Sequence, residues 1–296
     1  MYETETMLEP AESEPEIATD AMVEYPILEC RMNGRTLQAI VNHVCTLTDE
    51  ARISITSEGW RIKVVDAAHI AMVDIVVTMQ SFETWHYDGF QGIDAHDGEI
   101  PNEIGLDFEK VRDFLKTLGA KELKKSHTLR MTKRKLVLET EVGTREFSLV
   151  DVNGMSDPKI PTLNLESVFT IRSEDMPRLK TFLKGVAKIS SYLELSTDGS
   201  IRMDTEPGLR VESSGDMDKT HIILPVWMND GKTANAKSMF PLEYFDKIVR
   251  TLTQQKVYVT VSLGNDYPIK LECRGENGNF GLEVTYLLAP RIEDSD

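Results

Sequence analysis

Three observations predict an α+β fold of two similar domains, each an antiparallel sheet with two helices. A helical apolar stripe occurs in both halves of the chain, a second stripe occurs in both halves in the same order, and each half carries an acid-glycine turn between alternating segments. Any one match could arise by chance. Their shared order points to a duplicated module.

The first stripe is Leu37, Ile40, Val41 and Val44, spaced i, i+3, i+4, i+7 as on the apolar face of an amphipathic helix; Leu179, Phe182, Leu183 and Val186 repeat it. Strands follow each helix. "ARISITSEGWRIKVV" alternates through Ile53 and Ile55, turns at Glu58-Gly59 and resumes with Ile62 and Val64. "SYLELSTDGSIRM" alternates through Leu193 and Leu195, turns at Asp198-Gly199 and resumes with Ile201 and Met203. Both read as hairpins. The second stripe, Phe108, Val111, Leu115 and Leu118, is answered by Leu242, Phe245, Val249 and Leu252. Further strands close each half: "KLVLETEV" and "REFSLV" in the first, "KVYVTVSL", "IKLECRG" and "GLEVTYLLA" in the second.

The boundaries follow from composition. Residues 1–23 form an acidic extension, expected to be disordered from Met1 to about Ala21 because it has few large apolar groups. Residues 24–150 and 168–290 are the two domains, and 291–296 an acidic tail. The connector 151–167 carries Gly154, Pro158 and Pro161, which interrupt regular structure. "WHYDGFQGIDAHDGEIPNEIG", Trp85 to Gly105, has no counterpart in the second half and is expected to be a long surface loop.

A net charge of -16 over 296 residues argues against a surface that binds polyanions everywhere, since that requires Lys and Arg to displace counterions. The helices differ from the rest. Opposite their apolar stripes stand Arg35, with Gln38 and Asn42; Lys110 and Lys116; Arg178, Lys180, Lys184 and Lys188; and Lys247 and Arg250. Most helix acids sit in first turns, where the helix dipole favours them, Asp113 and Asp246 being exceptions. On one helix such a face is ordinary solvated surface, but a twofold repeat gathers all of them on one side of the molecule.

Cys30, Cys45 and Cys273 are odd in number and widely spaced, which suits buried thiols in a reducing compartment. No membrane-spanning run and no secretory leader are read from the sequence. His86, Asp88, Asp94, His96 and Asp97 crowd one segment, but without a metal-ligand pattern they read as solvated loop; no metal and no cofactor is expected. "GENGNFG", Gly275 to Gly281, lacks both Rossmann spacing and a P-loop lysine and reads as a hairpin turn. No nucleophile-base constellation is present, so an enzyme is not expected. Asp66, between two apolar runs, is expected to accept backbone hydrogen bonds in a turn. By themselves His69 reads as a turn histidine, and Ile70 and Met72 as sheet core.

"TDEARISITSEGWRIKVVDAAHIAMVDIVV" and the terminal "YLLAPRIEDSD" resemble the sliding clamps of the proliferating cell nuclear antigen (PCNA) family, archaeal or eukaryotic type, from about Tyr25 onward. The resemblance implies the DNA clamp fold, with three chains in a closed ring whose helices surround duplex DNA without reading its sequence. It makes the chain a polymerase processivity factor that tethers DNA polymerase, flap nuclease, ligase and clamp loader through short peptide motifs. It implies a peptide groove formed by Val65, His69, Ile70 and Met72, by Ile160 and Pro161 of the connector, and by Pro268, Leu287, Leu288, Ala289 and Pro290. The nine basic helix residues would face DNA, chiefly Lys180, Lys184, Lys188 and Arg250, since the first helix keeps only Arg35 where relatives carry lysines. Leu287 stands where many relatives carry Tyr. "KLVLETEV" of one subunit would pair with "GSIRMDTE" or "GLRVESS" of the next. Location would be cytoplasmic and nucleoid-associated in a prokaryote, nuclear in a eukaryote. The rival is a clamp-like subunit of a heterotrimer, or a ring that scaffolds partners without encircling DNA.

Overall fold

The computed structural model describes residues 26–88, 102–132, 134–155, 157–163, 165–228, 235–275 and 281–291. The expected disorder of Met1 to Ala21 and most of the acidic tail lie outside them. In the first half β1 (Leu28–Asn33) leads to α1 (Gly34–Val44), then β2 (Glu50–Thr56), β3 (Gly59–Val65), β4 (Ala71–Thr78), β5 (Phe82–Tyr87) and β6 (Asn102–Asp107). After α2 (Phe108–Thr117) come β7 (Ser126–Met131), β8 (Lys135–Thr140) and β9 (Gly143–Ser148). The second half runs β10 (Ser167–Ile171), α3 (Met176–Val186), β11 (Tyr192–Thr197), β12 (Arg202–Met203), β13 (Glu206–Ser214), β14 (Lys219–Pro225), β15 (Trp227–Met228) and β16 (Ala236–Pro241). It ends with α4 (Leu242–Gln255), β17 (Val259–Leu263), β18 (Ile269–Arg274) and β19 (Leu282–Leu288).

Local chemistry sets the helix ends. The Asn33 side chain accepts from the Arg35 amide and Asp107 from the Lys110 amide, satisfying first-turn donors that have no intrahelical partner. Pro177 sits in the first turn of α3, where its missing amide costs nothing. The first predicted stripes are buried except at half-buried Phe182: Leu37, Ile40, Val41 and Val44 of α1, and Leu179, Leu183 and Val186 of α3, are at most 3% exposed. α1 packs against both α2 and α4, and α4 against α3, so the helices lie in the row α2-α1-α4-α3.

The sheets are assembled from two kinds of block. A nine-stranded sheet runs β15-β10-β17-β18-β19-β4-β3-β2-β6, and its seam is β19 against β4, where the halves meet. The corresponding blocks of the other kind, β5-β1-β7-β8-β9 and β14-β13-β11-β16, are not joined to each other. Among the described residues, β9 pairs only with β8 and β14 only with β13, so each leaves one ladder edge open.

Three expectations are corrected here. β8, within "KLVLETEV", is interior between β7 and β9, and β13 is interior between β11 and β14, so neither offers a free edge to another chain. The Asp198-Gly199 turn does not make a hairpin with β11. The Asp198 carboxylate accepts from the amides of Ser200 and Ile201 and turns the chain aside; β12 pairs with β13, and β11 pairs directly with β13. In the first half the hairpin forms, with Ser57-Glu58 as the loop and Gly59 opening β3 at φ 136°, where a Cβ would lie 2.1 Å from the Val77 carbonyl. Finally, the expected Trp85–Gly105 loop is narrower. Trp85 to Tyr87 end β5 beside β1 and residues 102–105 begin β6 beside β2, because their backbone groups complete those ladders; residues 89–101 lie outside the description.

Candidate functional site

Two surfaces concentrate chemistry. The first is the side of the helix row turned away from the sheets. Of the nine basic residues placed there, Lys110 pairs with Asp107, Lys116 with Asp113, Lys247 with Glu243 and Arg250 with Asp246, each within its own helix or at its cap. Such pairs leave little net charge to act on a distant phosphate. Arg178 contacts the Met203 sulfur at 3.2 Å. Arg35, Lys180, Lys184 and Lys188 have no acid within 4.0 Å among the described residues, and all but half-buried Lys180 are exposed. The free cations thus come from α1, from α3 and from Lys188 just beyond the end of α3.

The second surface is built on the turn between β3 and β4 and on the outer face of the nine-stranded sheet. Asp66 is 5% exposed, and its carboxylate accepts from the amides of Ala68, Ile70 and Ala71 at 3.0, 2.7 and 2.6 Å. The Tyr244 hydroxyl of α4 donates to it at 2.7 Å. Burial alone would raise the Asp66 pKa, but the amides and the tyrosine outweigh it and hold it below the ordinary carboxylate value. The same bond, with burial and the nearby charge, pushes Tyr244 up to about 12. Asp66 is therefore the structural turn residue its setting predicts. It leaves His69 exposed at the tip with φ 56°.

Beside this turn, strand register lines up Val65, Met72, Leu287 and Lys270 across four neighbouring strands on one face. Met72 and Leu287 are 8% and 7% exposed, an apolar floor open at its surface. Ile70 accepts the Ala289 amide at 2.8 Å through its carbonyl, which brings Ala289 and Pro290 alongside. The connector crosses the same outer face. Arg52 donates to the carbonyls of Val152 and Met155 at 3.0 Å, and Lys63 pairs with Asp157 at 3.2 Å. Ile160, 37% exposed, and exposed Pro161 follow; Pro268 is half-buried before β18. Leu288 departs from expectation. It is fully buried and in register with Ala71 and Ile269, on the face toward the helices, because neighbouring strand residues point to opposite faces. It belongs to the core and not to the groove.

No family model matches the chain. The DNA polymerase sliding clamp of Methanocella arvoryzae is 30% identical over 270 residues, covering 90% of this chain and 99% of that one. The chain belongs to the DNA polymerase sliding clamp family. The sliding clamp of Methanosarcina mazei is 29% identical over 281 residues, at 90% and 99% coverage. Among solved structures, A. fulgidus PCNA bound to the C-terminal region of FEN-1 superposes with a TM-score of 0.74 at 24% identity, over 90% of this chain and all of that one. PCNA from Entamoeba histolytica superposes at 0.72 with 15% identity, over 90% and 100%. At these identities the two structures share the fold.

In this clamp, sequence reasoning missed the residues that hold the groove's surroundings in place. Tyr244 lies far from Asp66 in the chain, and the contact of Arg52 and Lys63 with the connector has no local signature. Each is an ordinary surface residue until distant segments pack. Also missed was a buried cluster at the junction of the halves, where His43 of α1 meets Tyr286 of β19 and Gln255 of α4.

Proposed function

We propose that three copies of this chain close head to tail around duplex DNA, with residues 24–150 and 168–290 as six similar domains and 151–167 as the connector within each copy. The ring slides without reading sequence and tethers DNA polymerase, flap nuclease, ligase and clamp loader, acting as a holder and not as a catalyst. It works on chromosomal DNA, in the nucleoid of a prokaryotic cytoplasm. Among the described residues no helix is long and apolar enough to cross a membrane.

This reading is carried by the sheet seam that exists once joined, β19 on β4, while its counterparts β9 and β14 stand open. Pairing β9 of one copy with β14 of the next repeats the intrachain seam, satisfies both edges and keeps the helix row on the inside of the curve. Retention then comes from topology, so few phosphate contacts are needed, and Arg35, Lys180, Lys184 and Lys188 supply a light cationic lining that permits sliding. The acidic exterior turns DNA away from the outside. The groove of Val65, Ile70, Met72, Leu287, Ala289 and Pro290, walled by Ile160, Pro161 and Pro268, takes the apolar anchors of a partner peptide that folds one turn, with His69 at its rim meeting a polar residue.

Loading the protein onto nicked circular DNA with a clamp loader and then linearising the circle tests the ring. Retention on the circle and loss from the linear form are expected; equal retention on both would overturn encirclement.

A further inference from the structure

We propose that the joint between copies has one register, in which Glu146 of β9 lies directly opposite Lys219 of the next copy's β14. The proposal rests on the ring reading above and specifies the contact that reading leaves open.

The register comes from the repeat inside the chain. Glu50 pairs with Asp107, the cap of α2, and Tyr192 with Pro241, the cap of α4, so these positions correspond. Following the ladders, Ser54 faces Arg61 as Ser196 faces Arg210, and Arg61 faces Val76 as Arg210 faces Ile223. The correspondence matches Gly59 to Gly208, the two strand glycines at which a Cβ would lie 2.1 and 2.7 Å from the next strand. Met72 thus corresponds to Lys219, Val73 to Thr220 and Asp74 to His221. On the other side, the Val150 amide donates to the Gly105 carbonyl as the Arg291 amide donates to that of Met239, two residues before the caps Asp107 and Pro241, so Val150 corresponds to Arg291; buried Cys30, Leu129 and Leu138 then match Phe169, Val261 and Leu271 through successive pairs. Leu138 faces Arg145 as Leu271 faces Tyr286. Arg145 therefore takes the place of Tyr286, and Glu146 that of Leu287.

Within the chain Tyr286 pairs with Val73 and Leu287 with Met72. Transferred to the open edges, Arg145 faces Thr220, Glu146 faces Lys219 and Thr144 faces His221. The chemistry supports this alignment. Within one copy Glu146 already pairs with Lys135 at 2.9 Å, and Lys219 with Glu212. Joined in this register, Lys135, Glu146, Lys219 and Glu212 alternate in sign across the seam, and opposite charges facing across strands favour the pair. A slip of two residues, the smallest that keeps each face in place, would set Glu146 against His221 or Met217 instead. On the inner face the buried Tyr286-His43 contact is replaced by Arg145 and Gly185; a Cβ on Gly185 would meet nothing within 4 Å, which leaves room for the longer side chain.

One consequence is functional. Where the intrachain seam exposes Met72 and Leu287, the seam between copies carries Lys219 and Glu146, so only the former offers an apolar floor to a peptide.

The full chain carrying T144C and H221C, oxidised with copper phenanthroline, tests the register, beside T144C/K219C and T144C/I223C. The native thiols are buried or half-buried and stay out of the reaction. A covalent closed trimer on a non-reducing gel is expected for T144C/H221C alone. Cross-linking of either control instead, or of none of the three while native mass spectrometry finds the unmodified protein trimeric, overturns the register and leaves the ring standing. An unmodified protein found monomeric overturns the ring itself.

Discussion

Acid should loosen the junction between the halves through one histidine. His43 is fully buried on α1, with Nδ1 2.7 Å from the Tyr286 hydroxyl of β19 and Nε2 facing Gln255 of α4. The Gln255 amide nitrogen donates to Nε2, so the single proton of a neutral imidazole sits on Nδ1 and is donated to the Tyr286 hydroxyl. Burial lowers its pKa to about 4 from 6.5, against a partial opposing effect of the Gln255 contact. Protonation requires charging a ring that has no acid beside it among the described residues, and it sets a new Nε2–H against the donating Gln255 amide. The unfolded chain binds this proton below pH 6.5 and the folded chain only near pH 4, so the unfolded state holds more protons between the two and stability falls as pH drops through that window. At 1.36 kcal/mol per unit the loss attributable to His43 approaches about 3 kcal/mol. Urea unfolding of wild type and His43→Gln should be followed from pH 7 to about pH 4 at one protein concentration, since assembly adds to apparent stability. The variant starts less stable, but the wild type should fall more steeply by about 3 kcal/mol in total. Parallel profiles would refute the reasoning, because all carboxylates are common to both proteins.

Three further outcomes are expected. Tyr244→Phe removes a hydrogen bond to a buried carboxylate and should cost about 1.5–3 kcal/mol in urea unfolding, with faster amide exchange at Ile70 and Ala71; unchanged exchange would show that the turn does not depend on α4. Met72→Asp with Leu287→Asp should abolish fluorescence-polarisation binding of a partner peptide while the trimer persists, and full binding would remove the floor from the groove. Charge reversal of Lys180, Lys184 and Lys188 should shorten residence on circular DNA and reduce the salt slope of DNA binding by about 3, whereas reversal of Lys110, already paired, should change little; equal effects would contradict the unequal lining.

The division between legible and hidden features follows the range of the interactions. Leu37 to Val44 and Phe108 to Leu115, with their second-half counterparts, announced the helices because a helix's core face is written at short spacing. The Glu58-Gly59 hairpin was legible for the same reason, whereas the matching Asp198-Gly199 signal misled, since the Asp198 carboxylate accepted the Ser200 and Ile201 amides and turned the chain toward β13. Leu288 was misplaced because a groove has two sides and only strand parity in three dimensions assigns them.

By itself the sequence determined the duplicated order of helices and strands, the acid-bearing turn at Asp66 and the one-sided basic faces, because each is a pattern of a few neighbouring residues. Only the tertiary structure decided which strands stay open and what holds the groove. Open edges and seams such as β19 on β4 depend on pairings between distant segments, and no local propensity encodes which partner a strand finds.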